Sequence, residues 1–179
     1  MIGQRSGDPD PRYLLHIYLR DHQAASKGGI SLVRRCRRSN SGTELAVVLE
    51  GIEAQILAAQ QALEDLMRGL GAKKSRVKQV VGRGAEVVGR LKSNGRLFHY
   101  SPLSRVVELE ALASAVFTQR SLWLSLRAVV DHYAVLDAGQ LDRLIADATG
   151  QYERLLIEHD RAAAVAFGST PGHVVHEAA

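Results

Sequence analysis

The stretch DAGQLDRLIADATGQYERLLIEHDRAAAVAF, residues 137–167, decides the fold class of this chain. Its apolar and small residues recur every three or four positions, which is the spacing of one face of an α-helix. Asp137 comes just before the repeat and has the side chain of a favoured N-cap residue. The pattern therefore predicts one long helix that ends near Phe167. The residues of this face are Leu141, Ile145, Ala148, Tyr152, Leu155, His159, Ala162 and Ala166.

Two further helix starts lie upstream, at Asp10-Pro11 and at Ser101-Pro102. Each places a capping side chain before a proline, and proline is favoured at the first helical position. They predict helices over residues 11–38 and 102–133, and a break in the second of these near residues 118–121 is left open.

A second helix is predicted from the turn after residue 40 to about Leu70. Ser41 and Glu44 have the spacing of a capping box, in which each side chain bonds a free backbone N–H of the other's residue. Gly71 follows Leu70 and suits the left-handed conformation that ends many helices.

The first helix carries a run of small residues. These residues are Ala24, Ala25, Gly28 and Gly29. Their small side chains form a smooth face, which is expected either inside the bundle or at an interface between two copies of the chain. The apolar face predicted to be buried includes two of them, and its residues are Leu14, Tyr18, Ala25, Gly28 and Leu32. Asp21 is the one polar residue on that face.

A third, basic helix is predicted over residues 72–92. Valines spaced three and four apart give it an apolar stripe. Eight basic residues and a single acid, Glu86, occur between residues 73 and 96. The predicted binding surface consists of these basic residues, which are Lys73, Lys74, Arg76, Lys78, Arg83, Arg90, Lys92 and Arg96.

Together these segments predict an all-α fold, an antiparallel four-helix bundle of long helices with the basic helix as a crossover. Residues 10–168 are expected to form one helical bundle domain. Residues 1–9 and 169–179 are polar and are expected to be a disordered N-terminus and a disordered C-terminal tail. No apolar run approaches the roughly 20 residues of a membrane span, and no secretory leader is evident. A cytoplasmic protein is the simplest interpretation.

The single cysteine, Cys36, excludes a disulfide framework and a cysteine zinc cluster. It lies among four arginines, whose charge would stabilise a thiolate. No histidine or helix start adjoins it in the sequence, so a small, partly buried cysteine near a helix end is expected.

Two stretches resemble an uncharacterised bacterial helical-bundle family: YLRDHQAASKGG at residues 18–29 and LKSNGRLFHYSPLSRVVELEAL at residues 91–112. Two helical hairpins joined by a long crossover also resemble the ferritin-like architecture. The resemblance implies a scaffold and no particular activity. Di-iron proteins of the ferritin-like type use Glu-x-x-His on two helices, and this chain contains no such motif, so no cofactor is expected.

If a metal site exists nevertheless, the helix heights place it at Glu50, Glu53, Glu110 and His159, with iron, manganese or zinc as the ion. Glu110 and His159 fall at similar heights on an antiparallel hairpin. The simpler alternative is a buried charge pair between Glu110 and protonated His159. In that case His159→Ala would destabilise the fold by leaving a buried carboxylate without its partner.

The sequence favours a non-catalytic interaction protein whose contact surface is the basic helix, because no nucleophile motif occurs. A protein partner is expected, and a homodimer is the expected assembly. Nucleic acid is less favoured, because the basic stretch has no aromatic residues for base stacking. The alternative function is a ferritin-like protein that binds a metal or a small ligand, including an enzyme of that kind.

Overall fold

The computed structural model describes residues 9–72 and 100–168, and these residues form four long helices. Helix α1 spans Pro11–Ser39, α2 spans Glu44–Gly69, α3 spans Pro102–Arg127 and α4 spans Ala138–Phe167. A short 3-10 helix, Val130–His132, lies between α3 and α4. The described residues contain no strand, so the predicted all-α class is confirmed.

Three predicted helix starts are confirmed by their hydrogen bonds. The backbone N–H of Arg12 donates to Asp10 Oδ1 over 3.0 Å, and that of Gln140 donates to Asp137 Oδ1 over 2.6 Å. Ser101 and Ser104 form a capping box in which each side chain accepts from the other's backbone N–H. Each cap supplies a partner for an N–H group that the first helical turn leaves free.

Two helix boundaries differ from the prediction. The N-cap of α2 is Thr43, whose Oγ1 accepts from the backbone N–H of Ala46 over 3.4 Å, and not Ser41. Gly42 adopts a φ of 81° and turns the chain between the two candidates, which removes Ser41 from the helix end. Helix α3 is continuous through residues 118–121 and ends at Arg127. The left-handed Gly71 after α2 is confirmed, with a φ of 72°.

The buried face of α1 is not the predicted one. The residues that point into the core are Leu19, Gln23, Ile30, Val33 and Cys36. Leu14, Ala25 and Gly28 of the predicted face are exposed, whereas its Tyr18 and Leu32 are half-buried and pack against the core. Large aliphatic side chains bury more apolar area than alanine and glycine. The face with Leu19, Ile30 and Val33 therefore packs into the core, and the face with Ala25 and Gly28 is exposed.

Helix α1 packs against α2 and α3, and α4 packs against α3 and, more sparsely, against α2. One continuous core fills the space between the four helices. Its largest fully buried side chains include Trp123, Leu19, Leu49, Ile52, Leu112, Leu126, Leu141 and Leu155.

Several predictions fall on residues that the structure does not describe. The basic helix beyond Ala72, all eight basic residues of the predicted binding surface, and the two termini lie outside the described residues. Within residues 9–72 and 100–168, no helix is long and apolar enough to cross a membrane.

Candidate functional site

Glu50 and Glu53, two of the four candidate metal ligands, lie beside the arginines of α1. Glu53 Oε1 is 2.7 Å from Arg34 Nε, and its Oε2 is 3.0 Å from Arg37 Nε. The hydrogen bond from Arg34 holds the pKa of Glu53 below its usual value, and the charge of Arg37 contributes as well. Glu50 is 72% exposed and lies 4.0 Å from Arg37 Nη1. Both oxygens of Glu53 are therefore engaged by arginine rather than free to bind a metal ion.

Glu110 and His159, the other two candidates, are neighbours, with Glu110 exposed and His159 half-buried. His159 Nε2 lies 3.8 Å from Glu110 Oε1, and the Glu110 side chain is 64% exposed. The expected large loss of stability in His159→Ala is thus corrected, because an exposed carboxylate stays solvated when its partner is removed. The four candidates therefore do not form one site. Glu110 contacts His159, whereas Glu50 and Glu53 contact arginines of α1.

In residues 9–72 and 100–168, no group of three or more His, Cys, Asp or Glu side chains is arranged to hold a metal ion. His16 and His22, two further histidines of α1, each have other contacts. His16 Nε2 lies 3.2 Å from the carbonyl oxygen of Leu70, and the His22 ring packs edge-on against Tyr18.

Glu108 is the most deeply buried carboxylate among the described residues, and it is not one of the site residues predicted from the sequence. It is 4% exposed. Glu108 Oε1 lies 2.8 Å from Arg35 Nε, and the Tyr100 hydroxyl donates to Glu108 Oε2 over 3.1 Å. Asn40 Nδ2 donates to the Tyr100 oxygen over 2.8 Å and to the carbonyl of Cys36 over 2.7 Å. This network, in which Glu108, Asn40 and Cys36 are buried, joins the end of α1 to the start of α3.

A signal for Glu108 was present in the sequence. Glu108 is four residues before Leu112 and eight before Val116, so it shares the helical face that Trp123 also occupies. Glu110 lies four residues after Val106 and three before Ala113, which are both buried, but its own side chain is 64% exposed. A rotation of about 200° separates positions two apart on a helix, and this places the two acids on opposite sides of α3.

The network also accounts for the arginine cluster of α1. Arg34 and Arg37 pair with Glu53, and Arg35 pairs with Glu108. Three of the four clustered arginines therefore have carboxylate partners within the fold. Two carboxylates serve these three arginines, so the charge of the cluster is partly balanced within the fold.

The thiol of Cys36 is buried within the same network. The residue is fully buried, and its sulfur lies 3.8 Å from Asn40 Nδ2. Burial, reinforced by the nearby negative charge of Glu108, raises the pKa of Cys36 to about 12. The protonated thiol is therefore the stable form at neutral pH, and the charge of Arg35 does not overcome the cost of burying a thiolate.

We expect Cys36 to make folding stability depend on pH above neutrality. The folded pKa of about 12 exceeds the ordinary value of 9.0, so the contribution is complete below that value and is lost as the pH rises towards 12. Between about pH 8 and pH 10, the wild type should lose roughly 1 kcal/mol more unfolding free energy than Cys36→Ala. Urea unfolding under reducing conditions at each pH measures both slopes. Parallel slopes for the two proteins would contradict a buried, neutral thiol.

Comparisons with known proteins add no relative. No protein-family model matches the chain, and neither the curated proteins nor the solved structures contain a significant match.

Proposed function

We propose that this chain is a non-catalytic helical-bundle protein that acts by binding another protein through its basic stretch, residues 73–96. The proposal rests on where the described residues that flank positions 73–99 lie. Both ends adjoin α1, whose outward face has no neighbour among the described residues.

Residues 73–99 are joined to the rest of the chain at opposite ends of α1. At one end, the carbonyl oxygen of Leu70 accepts a hydrogen bond from Arg12 Nη2 over 3.2 Å, so α2 finishes beside the start of α1. At the other end, the Tyr100 oxygen accepts from Asn40 Nδ2, at the C-cap of α1. The stretch therefore leaves beside the first turn of α1 and returns beside its last.

The length of the stretch suits a path along α1. A 29-residue helix such as α1 is about 43 Å long, and the basic helix predicted over residues 72–92 would span about 31 Å. Residues 93–99 would then have to supply the remaining distance of about 12 Å, which seven residues can bridge.

The outward face of α1 supports the same path. Ala25 and Gly28 are exposed, and a Cβ atom added at Gly28 would meet nothing within 4 Å. Leu14 and Ile17 on the same side are 48% and 37% exposed. Small side chains allow another helix to approach closely, and exposed apolar ones gain from being covered. In our proposal the valine stripe packs here, and the basic residues point outward towards a partner.

The order of contacts between helices supports the antiparallel, ferritin-like topology that belongs to this proposal. Glu110 of α3 contacts His159 of α4, and Arg127 further along α3 bonds Asp142, which is earlier in α4. Contacts of α1 with α2 and of α1 with α3 follow the same reversed order. Two hairpins related in this way need a long crossover between α2 and α3.

An acidic protein surface fits residues 73–96 better than nucleic acid does. The stretch contains no Phe, Tyr or Trp, and binding to single strands relies on aromatic stacking. A basic surface complements an acidic one and speeds association by electrostatic attraction. Such a partner can be a second copy of this chain or a different protein.

Charge reversal tests the proposal. The full chain, the variant Arg76→Glu/Lys78→Glu and the control Arg127→Glu/Arg143→Glu would each be immobilised and exposed to a lysate of the native host. The control reverses the same number of charges on the α3–α4 hairpin. We expect a stoichiometric protein partner with the wild type and the control, and at least a tenfold loss, about 1.4 kcal/mol, with the basic-stretch variant. Helical dichroism would verify that all three are folded.

The proposal would be overturned if the basic-stretch variant and the control variant retained the same amount of the protein partner. So would tight binding to a random duplex DNA with a steep dependence on salt, which would make nucleic acid the partner. Near-stoichiometric iron, manganese or zinc in protein purified without chelating resin would favour the metal-binding alternative. If the captured protein is a second copy of this chain, the interaction is homodimer formation.

A further inference from the structure

Three exposed carboxylates of the α3–α4 hairpin have no arginine or lysine partner among the described residues. They are Glu110 of α3 and Glu153 and Asp160 of α4, and the side chains of Glu110 and Asp160 are 64% and 84% exposed. The one basic group within 4 Å of any of them in residues 9–72 and 100–168 is the imidazole of His159. The acids that face α1 are instead paired with its arginines. The hairpin therefore presents negative charge that the described fold leaves without a compensating cation.

These acids lie beside exposed apolar side chains. Phe117 and Leu124 follow Glu110 by seven and fourteen residues, which places all three on one side of α3, and they are 52% and 41% exposed. The Phe117 ring lies 6.0 Å from the ring of Tyr152 on α4. Leu156, one turn further along α4, is 39% exposed. We call this surface the α3–α4 face, and its residues are Glu110, Phe117, Leu124, Tyr152, Glu153, Leu156 and Asp160.

The chemistry of the α3–α4 face selects the kind of partner that it fits. Its acids need cations, and its apolar side chains need hydrocarbon to cover them. Lysine and arginine supply both, because their aliphatic stems cover apolar surface while their charged groups reach a carboxylate. A guanidinium group also stacks favourably on an aromatic ring such as that of Phe117. Nucleic acid and anionic lipid would be repelled by the same acids, so a basic protein segment is the partner that fits.

The chain itself contains such a segment, since residues 73–96 include eight basic residues and a single acid. We propose that the α3–α4 face of one copy binds residues 73–96 of a second copy. This inference rests on the function proposed above and identifies the partner of the basic stretch. The two surfaces are different parts of the chain, so the contact is heterologous. Each complex of two copies therefore keeps one free surface of each kind, and larger assemblies form as the concentration rises.

Sedimentation of the full-length protein tests this self-association. In about 50 mM salt, we expect the mean mass to rise above the 19.5 kDa of one chain and then beyond two chains, with a Kd of about 50 µM. Salt at about 0.5 M should weaken association at least fivefold, because it screens exposed charges. Glu110→Lys/Asp160→Lys should raise the Kd at least tenfold. The control Glu44→Lys/Asp147→Lys reverses two exposed acids outside the α3–α4 face and should keep the wild-type Kd.

Mixing two variants identifies the two surfaces. Arg76→Glu/Lys78→Glu retains the α3–α4 face, and Glu110→Lys/Asp160→Lys retains the basic stretch, so each alone should be monomeric. An equimolar mixture should form a complex of two chains and nothing larger, because only one productive contact remains. Helical dichroism verifies that both are folded. A mixture that stays monomeric, or a Glu110→Lys/Asp160→Lys variant that associates like the wild type, would overturn the inference. So would a wild type that is monomeric up to about 200 µM, four times the expected Kd. The lysate experiment above would still decide whether the basic stretch binds a different protein.

Discussion

Leu126→Ala is expected to lower the free energy of unfolding by about 3 kcal/mol, within the usual range for a buried leucine. Leu126 is fully buried on the face of α3 that contributes to the core. The loss combines the apolar area that no longer leaves water with the cavity that the truncated side chain leaves behind. Urea unfolding followed by helical dichroism measures it.

Leu124→Ala is the matched control for this prediction. Leu124 lies two residues earlier on the same helix and is 41% exposed. The same truncation there should cost less than about 1 kcal/mol, because a substantial part of the removed surface is already in contact with water. Equal losses in the two variants would show that the buried face of α3 has been assigned to the wrong side.

Arg35→Met is expected to lower the free energy of unfolding by about 2–3 kcal/mol. The substitution leaves the buried carboxylate of Glu108 with two uncharged partners, the Tyr100 hydroxyl and the Cys36 thiol. Breaking a buried ion pair costs about 3–5 kcal/mol. The lower value is expected here because the Arg35 side chain is 42% exposed, and water screens the pair. Thermal or urea unfolding at neutral pH measures the loss.

Two further variants separate charge pairing from simple loss of side-chain contacts. Arg34→Met removes an arginine of similar exposure, 46%, but Glu53 retains Arg37, so a loss below about 1 kcal/mol is expected. In Arg35→Met/Glu108→Gln the buried charge is absent, and at least half of the lost stability should return. A double variant as unstable as Arg35→Met alone would contradict a dominant role for the buried charge.

The helix ends were predictable because their causes are local. Asp10, Ser101 and Asp137 each accept a hydrogen bond from a backbone N–H two or three residues away. A short range of sequence therefore contains both the donor and the acceptor. The missed cap at Thr43 is also local, but Ser41 and Thr43 compete for the same helix end, and the backbone of Gly42 decides between them.

The direction in which α1 faces was not predictable in the same way. Both sides of the helix have apolar residues at helical spacing, one with alanine and glycine and the other with Leu19, Ile30 and Val33. The second side also includes Gln23, Cys36 and the neighbouring arginines, so its pattern of apolar residues is less regular. Only the presence of Glu53 and Glu108 on neighbouring helices shows how those arginines are paired.

The sequence by itself determined that this chain forms long helices, where three of them begin, and that its bulky aliphatic residues form a core. These features depend on hydrogen bonds within one turn and on periodicity along one segment. Only the tertiary structure decided that Glu108 rather than Glu110 is buried, and that Phe117 lies beside Tyr152. Contacts such as Asn40 with Tyr100 join residues 60 positions apart. Whether two such groups meet depends on how far each helix rotates to bury its largest apolar area, and this is set by all four helices together.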